Sequence, residues 1–268
     1  MDWKENLALW DRLVIQQKFA LVSDFDGTLS PIVNDPDSAM PDPKILPLLS
    51  ELRDHLLAVA VLSGRAVEDV SERVGVPGLV FIGNHGFERF QDGKIVIPDH
   101  VKSYQKAVSK AAKKIRQNLL PGMRVENKGI TLSVHYRQAE DEEDVREKFL
   151  PKLRDWSDKY GLTLFQGRKV FELRPPVEID KGTAFIQFVE DFKVQSAVYL
   201  GDDTTDASVL EAAKRLRETG KCEAYGLGVH SSNTPAEIHL HEDYSVDGVD
   251  GVREFLSALV KAFKASST

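Results

Sequence analysis

At 268 residues, 42% of them hydrophobic and 29% charged, the chain can bury a sizeable core and is too apolar for wholesale disorder. A formal net charge of -7 without a dense basic run argues against a nucleic-acid partner, the Lys113, Lys114 and Arg116 group reading as a solvated helix face. A single cysteine, Cys222, excludes an intrachain disulfide and a cysteine-built zinc site, and fits a reducing cytoplasm.

The first twenty residues, MDWKENLALWDRLVIQQKFA, scatter charges through their apolar positions, so neither a signal peptide nor a membrane span is expected and the chain reads as soluble. The role of residues 3–18 is left open. FALVSDFD, 19–26, starts with an apolar run too short for a helix and reads as a strand buried on both faces. From Pro43, apolar residues at 45, 48, 49 and 52 mark a helix face. LLAVAVLSGR predicts a second buried strand ending at Ser63-Gly64-Arg65, VEDVSERVG a helix stopped by Gly75, and LVFIGNHG a third strand.

After about residue 98 the pattern changes to a long helix (101–120), an alternating strand (130–137), a charged helix (140–159) and two strands around Gln166-Gly167-Arg168. After Pro176 the first pattern resumes, with DKGTAFIQFVEDF as a helix, SAVYLGDD as a buried strand, TDASVLEAAKRLRETG as a helix and AYGLGV as a strand. The expected fold class is therefore α/β: a doubly wound, Rossmann-like parallel sheet, discontinuous over 1–98 and 177–268, with an α+β insert at 99–176 whose sheet has an open face. No repeat or low-complexity linker is evident, and the tail KAFKASST reads as a frayed end.

Three core strands end in polar clusters: Asp24-Phe25-Asp26-Gly27-Thr28, Ser63-Gly64-Arg65, and Gly201-Asp202-Asp203-Thr204-Thr205-Asp206. In a doubly wound sheet such ends share one edge, where ligands bind. Single aspartates at strand ends commonly cap helices or form turns; two paired-aspartate clusters plus a serine favour a common site. Carboxylates brought that close repel one another, and a hard divalent cation relieves the repulsion. All-oxygen donors without clustered Cys or His favour Mg²⁺.

These motifs resemble those of the haloacid-dehalogenase superfamily of phosphotransferases: Asp24-Phe25-Asp26-Gly27-Thr28-Leu29 is joined in family order by Ser63, Lys181 and Gly201-Asp202-Asp203. The resemblance implies that Asp24 attacks phosphorus, that Asp26 protonates the leaving oxygen and then activates water, and that Ser63 and Lys181 hold phosphoryl oxygens. It further implies a Mg²⁺ ion bound by Asp24, Asp202 and the backbone carbonyl of Asp26, with Asp203 and Asp206 in support. Taken alone, Lys181 would be a surface lysine in a helix's first turn; its place one strand before Asp202 argues for the phosphate role.

The insert carries Glu126, Lys128, His135 and Arg137 around its first strand and Arg168, Lys169, Glu172 and Arg174 around its last, mixed charges suited to sugar hydroxyls or to a solvated face. Lys169 and Glu172 would act together only across a twist or bulge. From Phe19 to about Leu259, through DFDGTLSPIV, SGRAVEDV, GNHGFE, ENKGITLSVHYR, GRKVFELRPP, DKG and GDDTTD, the chain is similar to the trehalose-6-phosphate phosphatase family. That resemblance implies hydrolysis of trehalose 6-phosphate, the last step of trehalose biosynthesis, under a cap that closes over the sugar. Thr28, Arg65, Asn84, His85, Glu126, Lys128, Lys169 and Glu172 would bind substrate, and a synthase could be a functional partner. Ala207 and Leu210 depart from the family's usual Glu and large apolar residue, which bears on how the lysine or metal is oriented. Another sugar phosphate as substrate (sucrose 6-phosphate or mannosylglycerate phosphate), a phosphosugar mutase, and a silent regulatory partner of a synthase stay open.

Overall fold

The computed structural model of the chain describes residues 1–33, 35–91, 93–167 and 169–266. It divides into two compact units, Met1–Val96 with Ile179–Thr268, and Ile97–Glu178.

The first unit starts with a 3₁₀ turn (Trp3–Asn6) and helix α1 (Leu7–Val14), followed by β1 (Phe19–Ser23), α2 (Ile45–His55), β2 (Ala58–Leu62), α3 (Val67–Val74), β3 (Val80–Gly83) and the hairpin β4 (Glu88–Gln91) and β5 (Lys94–Val96). The second unit holds α4 (Asp99–Lys102), α5 (Gln105–Arg116), β6 (Arg124–Asn127), β7 (Leu132–His135), α6 (Glu142–Asp144), a π-helical stretch (Val145–Phe149), α7 (Leu150–Tyr160), β8 (Thr163–Gly167) and β9 (Val170–Arg174). The chain then returns to the first unit through α8 (Lys181–Phe192), β10 (Ser196–Gly201), α9 (Thr204–Glu218), β11 (Glu223–His230), α10 (Ala236–His241), β12 (Tyr244–Asp247) and α11 (Gly248–Ser266).

The eight-stranded sheet of the first unit has the order β12-β11-β10-β1-β2-β3-β4-β5, parallel except for β4 and β5. Successive strands run outward from β1 in one direction and from β10 in the other, so the order reverses between these two central strands. Strand alternation sends Phe19 and Leu21 into a core with residues of α1, α2, α3 and α11, and Ala20 and Val22 into one with α8, α9 and α10. A sheet covered on both faces needs apolar residues at every position, and β1, β2 and β10 are buried throughout.

Residues 3–18 seal one of these cores. Trp10 is buried, donates its indole N–H to the Trp3 carbonyl at 2.8 Å and packs edge-on against Tyr244 and Phe255. The tail predicted to fray is instead helical through Ser266, because the apolar face of α11 continues: Phe263 stacks on His55 at 4.0 Å and Lys264 pairs with Glu51.

In the second unit the antiparallel sheet β6-β7-β9-β8 packs one face on α5 and α7 through Val134, Phe171, Leu132 and Leu173. The long helix predicted over 101–120 is two, broken at Ser103 and Tyr104 and ending at Arg116, where the Asn118 side chain donates to the Lys114 carbonyl. Pro121 disfavours helical backbone at Leu120, so the apolar pattern runs on past the helix. Strand β6 and the β4–β5 hairpin are absent from the sequence prediction; both are short, and the hairpin turns beside Gly93 at φ +75°.

Candidate active site

Asp24 follows the last residue of β1, and Asp202 that of β10, at the end of the sheet where the strand order reverses. Parallel strands place both carboxylates at the same edge. The close approach needs a glycine: Gly27 has φ +82°, and a Cβ there would lie 2.1 Å from Asp202 Oδ2. Thr28, fully buried in the same loop, donates to Asp202 Oδ1 at 3.4 Å.

Lys181, the first residue of α8, reaches Asp24 at 2.8 Å and Asp206 at 2.6 Å. All three are buried. Asp206 in turn accepts from the Tyr199 hydroxyl at 2.6 Å and, through its other oxygen, from the amides of Asp202 and Asp203 at 3.0 Å each. Asp206 thus sets the lysine's position, while Ala207, at the departure from the family pattern, is a buried residue beside it. Tyr199 was missed by the sequence reading; the available signal was a hydroxyl inside an otherwise apolar buried strand, which requires a partner.

Burial pushes the Asp24 carboxyl up to about 8, aided by the Asp206 charge and opposed by Lys181. Burial likewise pushes Asp202 to about 9, with the charges of Asp24 and Asp206 adding to it. Burial lowers the Lys181 ammonium, but Asp206 and Asp24 more than offset this and hold it above its ordinary value. One oxygen from each of Asp24, Asp202 and Asp206 lies within 4.8 Å of the others, an all-oxygen donor set whose mutual repulsion a hard dication would relieve.

Ser63 is buried after β2, and its hydroxyl accepts from the Arg65 amide at 3.2 Å. Arg65, which the family resemblance assigns to substrate, clasps both oxygens of Asp26 at 2.7 Å, and also binds Asp69 and the Pro36 carbonyl. Asn84, fully buried, donates to Glu88, which also receives the Val67 amide at the start of α3. The ring of His85 lies over Gly64, where a Cβ would meet Cε1 at 2.6 Å.

In the second unit, register aligns Glu126, Ser133, Glu172 and Phe165 in one row across the sheet, opposite its packed face. Glu172 is the hub: Arg174 binds it through two nitrogens, Lys128 approaches to 3.8 Å and Ser133 donates at 3.4 Å. Arg174 also sits over the Phe165 ring at 4.7 Å. Burial would raise the Glu126 carboxyl, but a 2.8 Å hydrogen bond with His135 and the Lys128 charge pull it down to about 2. Lys169 does not join this row. It occupies the β8–β9 turn at φ +59° and pairs with Glu142. Arg168, also named from the sequence, lies outside the described residues.

Paired aspartates and a helix-borne lysine meet at the reversal point of a doubly wound sheet, where such folds bind ligands, and a solved phosphatase of the haloalkanoate (HAD) superfamily from Bacteroides thetaiotaomicron shares the fold with a TM-score of 0.57 at 18% identity, covering 94% of this chain and 96% of that one. The chain belongs to the trehalose-phosphatase family, whose model matches residues 22–247. A trehalose-phosphate phosphatase of Mycobacterium tuberculosis (strain H37Rv) is 38% identical over 218 residues, 78% of this chain and 55% of the relative. The chain therefore spans about half the length of the curated relatives it matches. Among solved structures, a "trehalose-6-phosphate phosphatase related protein" superposes with a TM-score of 0.79 at 22% identity, covering 93% of this chain and 100% of that one. The C-terminal domain of the Candida albicans trehalose-6-phosphate phosphatase does so with 0.76 at 23% identity, covering 96% and 97%. Among the described residues no helix is long and apolar enough to cross a membrane.

Proposed function

We propose that the chain is a Mg²⁺-dependent phosphatase that hydrolyses trehalose 6-phosphate to trehalose and phosphate. The observation that carries this reading is the buried lysine bridge from Asp24 to Asp206 beside Asp202, in a chain of the trehalose-phosphatase family. Asp24 Oδ would attack phosphorus as the bond to the sugar oxygen breaks, and Asp26 would supply the proton that oxygen needs. Asp26 would then take a proton from water as the water oxygen attacks the aspartyl-phosphate, releasing phosphate and restoring Asp24. Both Asp26 oxygens are held by Arg65, so this proton work needs at least one to leave the guanidinium. Ser63 and Lys181 would bind phosphoryl oxygens, Lys181 offsetting their charge. Asp24, Asp202 and the Asp26 carbonyl would hold Mg²⁺, which supplies charge neutralisation at the phosphoryl group.

Phosphate release from trehalose 6-phosphate, sucrose 6-phosphate and glucose 6-phosphate, each with Mg²⁺ and with EDTA, tests the proposal. Turnover strongly preferring the trehalose ester, lost in EDTA and restored by excess Mg²⁺, is expected. Preference for another ester would discard the substrate and retain the mechanism. No release from any ester would overturn both.

In the second unit, we assign sugar recognition to Glu126, Lys128 and Glu172. Glu172→Gln weakens the charge that gathers Lys128, Arg174 and Ser133, and is expected to lower kcat/KM for trehalose 6-phosphate roughly tenfold. Hydrolysis of p-nitrophenyl phosphate, which has no sugar, should change by less than about twofold. Equal losses on both substrates would remove Glu172 from sugar binding.

A further inference from the structure

Three of the seven histidines, His230, His239 and His241, lie within twelve residues, and the fold of the first unit gathers two of them around a carboxylate. His230 is the last residue of β11, His239 lies on α10, and Glu242 follows that helix. Glu242 Oε2 is 2.7 Å from His230 Nε2, and Oε1 is 3.7 Å from His239 Nδ1. The two imidazole centroids are 4.6 Å apart, and one donor atom from each of the three residues lies within 4.8 Å of the others.

Local structure holds this arrangement in place. Ile238, fully buried, anchors α10 on the sheet, and the next residue, His239, is half exposed. The spacing His239-x-x-Glu242 puts both side chains on one side of the helical turn, which the Glu242 amide closes onto the Ile238 carbonyl. Asp243 binds Arg217 and the Gly226 amide, fixing the backbone just beyond. Gly228 completes the site: a Cβ there would lie 1.8 Å from Glu242 Oε2 and 2.7 Å from Ile238 Cγ2, so only glycine lets the carboxylate rest on the strand. The Glu242 side chain is 9% exposed and its ionic partners among the described residues are the two histidines. An imidazole brings a donor but no fixed charge at neutral pH, so this nearly buried carboxylate is well placed to accept a cation.

We propose that His230 Nε2, His239 Nδ1 and Glu242 bind one first-row transition dication, Zn²⁺ foremost. Two imidazole nitrogens and one carboxylate form a borderline-soft donor set that leaves a fourth, tetrahedral position for water. The aspartate cluster at the ends of β1 and β10 offers only oxygen and favours Mg²⁺, so the two sites differ in the metal they select. On loading, the ion takes the place between His230 Nε2 and Glu242 Oε2 that a hydrogen bond now fills, and a neutral imidazole then carries its single N–H on Nδ1. The bound ion ties the end of β11 to α10 and stabilises the fold by mass action.

The test is a Zn²⁺ titration of the whole chain against a chromophoric chelator, with Mg²⁺ in saturating excess, on the wild type, His239→Ala and Asp202→Asn. One equivalent of Zn²⁺ with a Kd at or below roughly 1 μM is expected for the wild type and for Asp202→Asn, and at least about tenfold weaker binding for His239→Ala. At a fixed micromolar Zn²⁺ concentration the Tm of the wild type should rise by more than that of His239→Ala. Co²⁺ should give visible ligand-field bands in the wild type that His239→Ala lacks. His239 is half exposed, so its truncation leaves the metal-free fold intact, which circular dichroism checks. Uptake unchanged in His239→Ala, uptake lost with Asp202→Asn, or no uptake at micromolar Zn²⁺ would each overturn the proposal. None of these outcomes depends on turnover of a phosphate ester, so failure here is separable from failure of the proposed phosphatase activity.

Discussion

Asp24→Asn is expected to lower kcat for phosphate release by roughly 10⁴-fold or more, the scale seen when a covalent nucleophile is removed. The amide keeps the shape of the carboxylate and loses its nucleophilic oxygen, so the proposed aspartyl-phosphate could not form. The fold should survive, because Lys181 retains its 2.6 Å pair with Asp206 and the β1 backbone keeps its place between β10 and β2. Binding can also persist, since the amide no longer adds its charge to those of Asp202 and Asp206 where the anionic ester must enter. The assay is single-turnover phosphate release beside circular dichroism. Appreciable turnover by a folded variant would remove Asp24 from the nucleophile role and point to direct attack by water.

The core architecture was legible because parallel strands buried on both faces leave continuous apolar runs, and β1, β2 and β10 are such runs ending in polar clusters. The same logic puts Asp24, Ser63 and Asp202 at strand ends, whereas Lys181, which alone reads as a surface lysine in a helix's first turn, enters through the family resemblance and is buried in the fold. Partner choice was less accessible. Asp26 and Arg65 both appear as strand-end polar residues, and only the fold reveals that they clasp each other across 39 positions of sequence. Lys169 reads as part of a strand with Glu172, but its left-handed backbone turns it out of the row and toward Glu142. Strand β6 offers only Val125 between charged neighbours, too short an alternation to register, although its pairing with β7 sets Glu126 beside Ser133. His230 and His239 are separated by a loop and half a helix, and their meeting depends on Gly228 and Ile238 rather than on any linear motif.

Asp206→Asn should be the most destabilising of the conservative changes at this site. Both carboxylate oxygens accept: Oδ1 from Lys181 and Tyr199, Oδ2 from the amides of Asp202 and Asp203. An asparagine offers one acceptor oxygen and one NH₂, so whichever way the amide turns, a donor faces donors in a site with no exposure to water. The substitution also removes one of the two anions that justify burying the Lys181 ammonium, and breaking a buried ion pair from one side costs about 3–5 kcal/mol. For a chain of this size that corresponds to a fall in Tm of roughly 10 °C, measured by thermal unfolding at fixed Mg²⁺. Activity should fall with it, by about 10²-fold in kcat at temperatures where the variant is folded, because the lysine loses the carboxylate that sets its position. The two aspartates that share Lys181 thus make opposite predictions: Asp24→Asn removes chemistry and spares the fold, and Asp206→Asn weakens both. A variant at 206 that melts with the wild type would show that the lysine bridge and the Tyr199 hydroxyl are held by something other than this carboxylate.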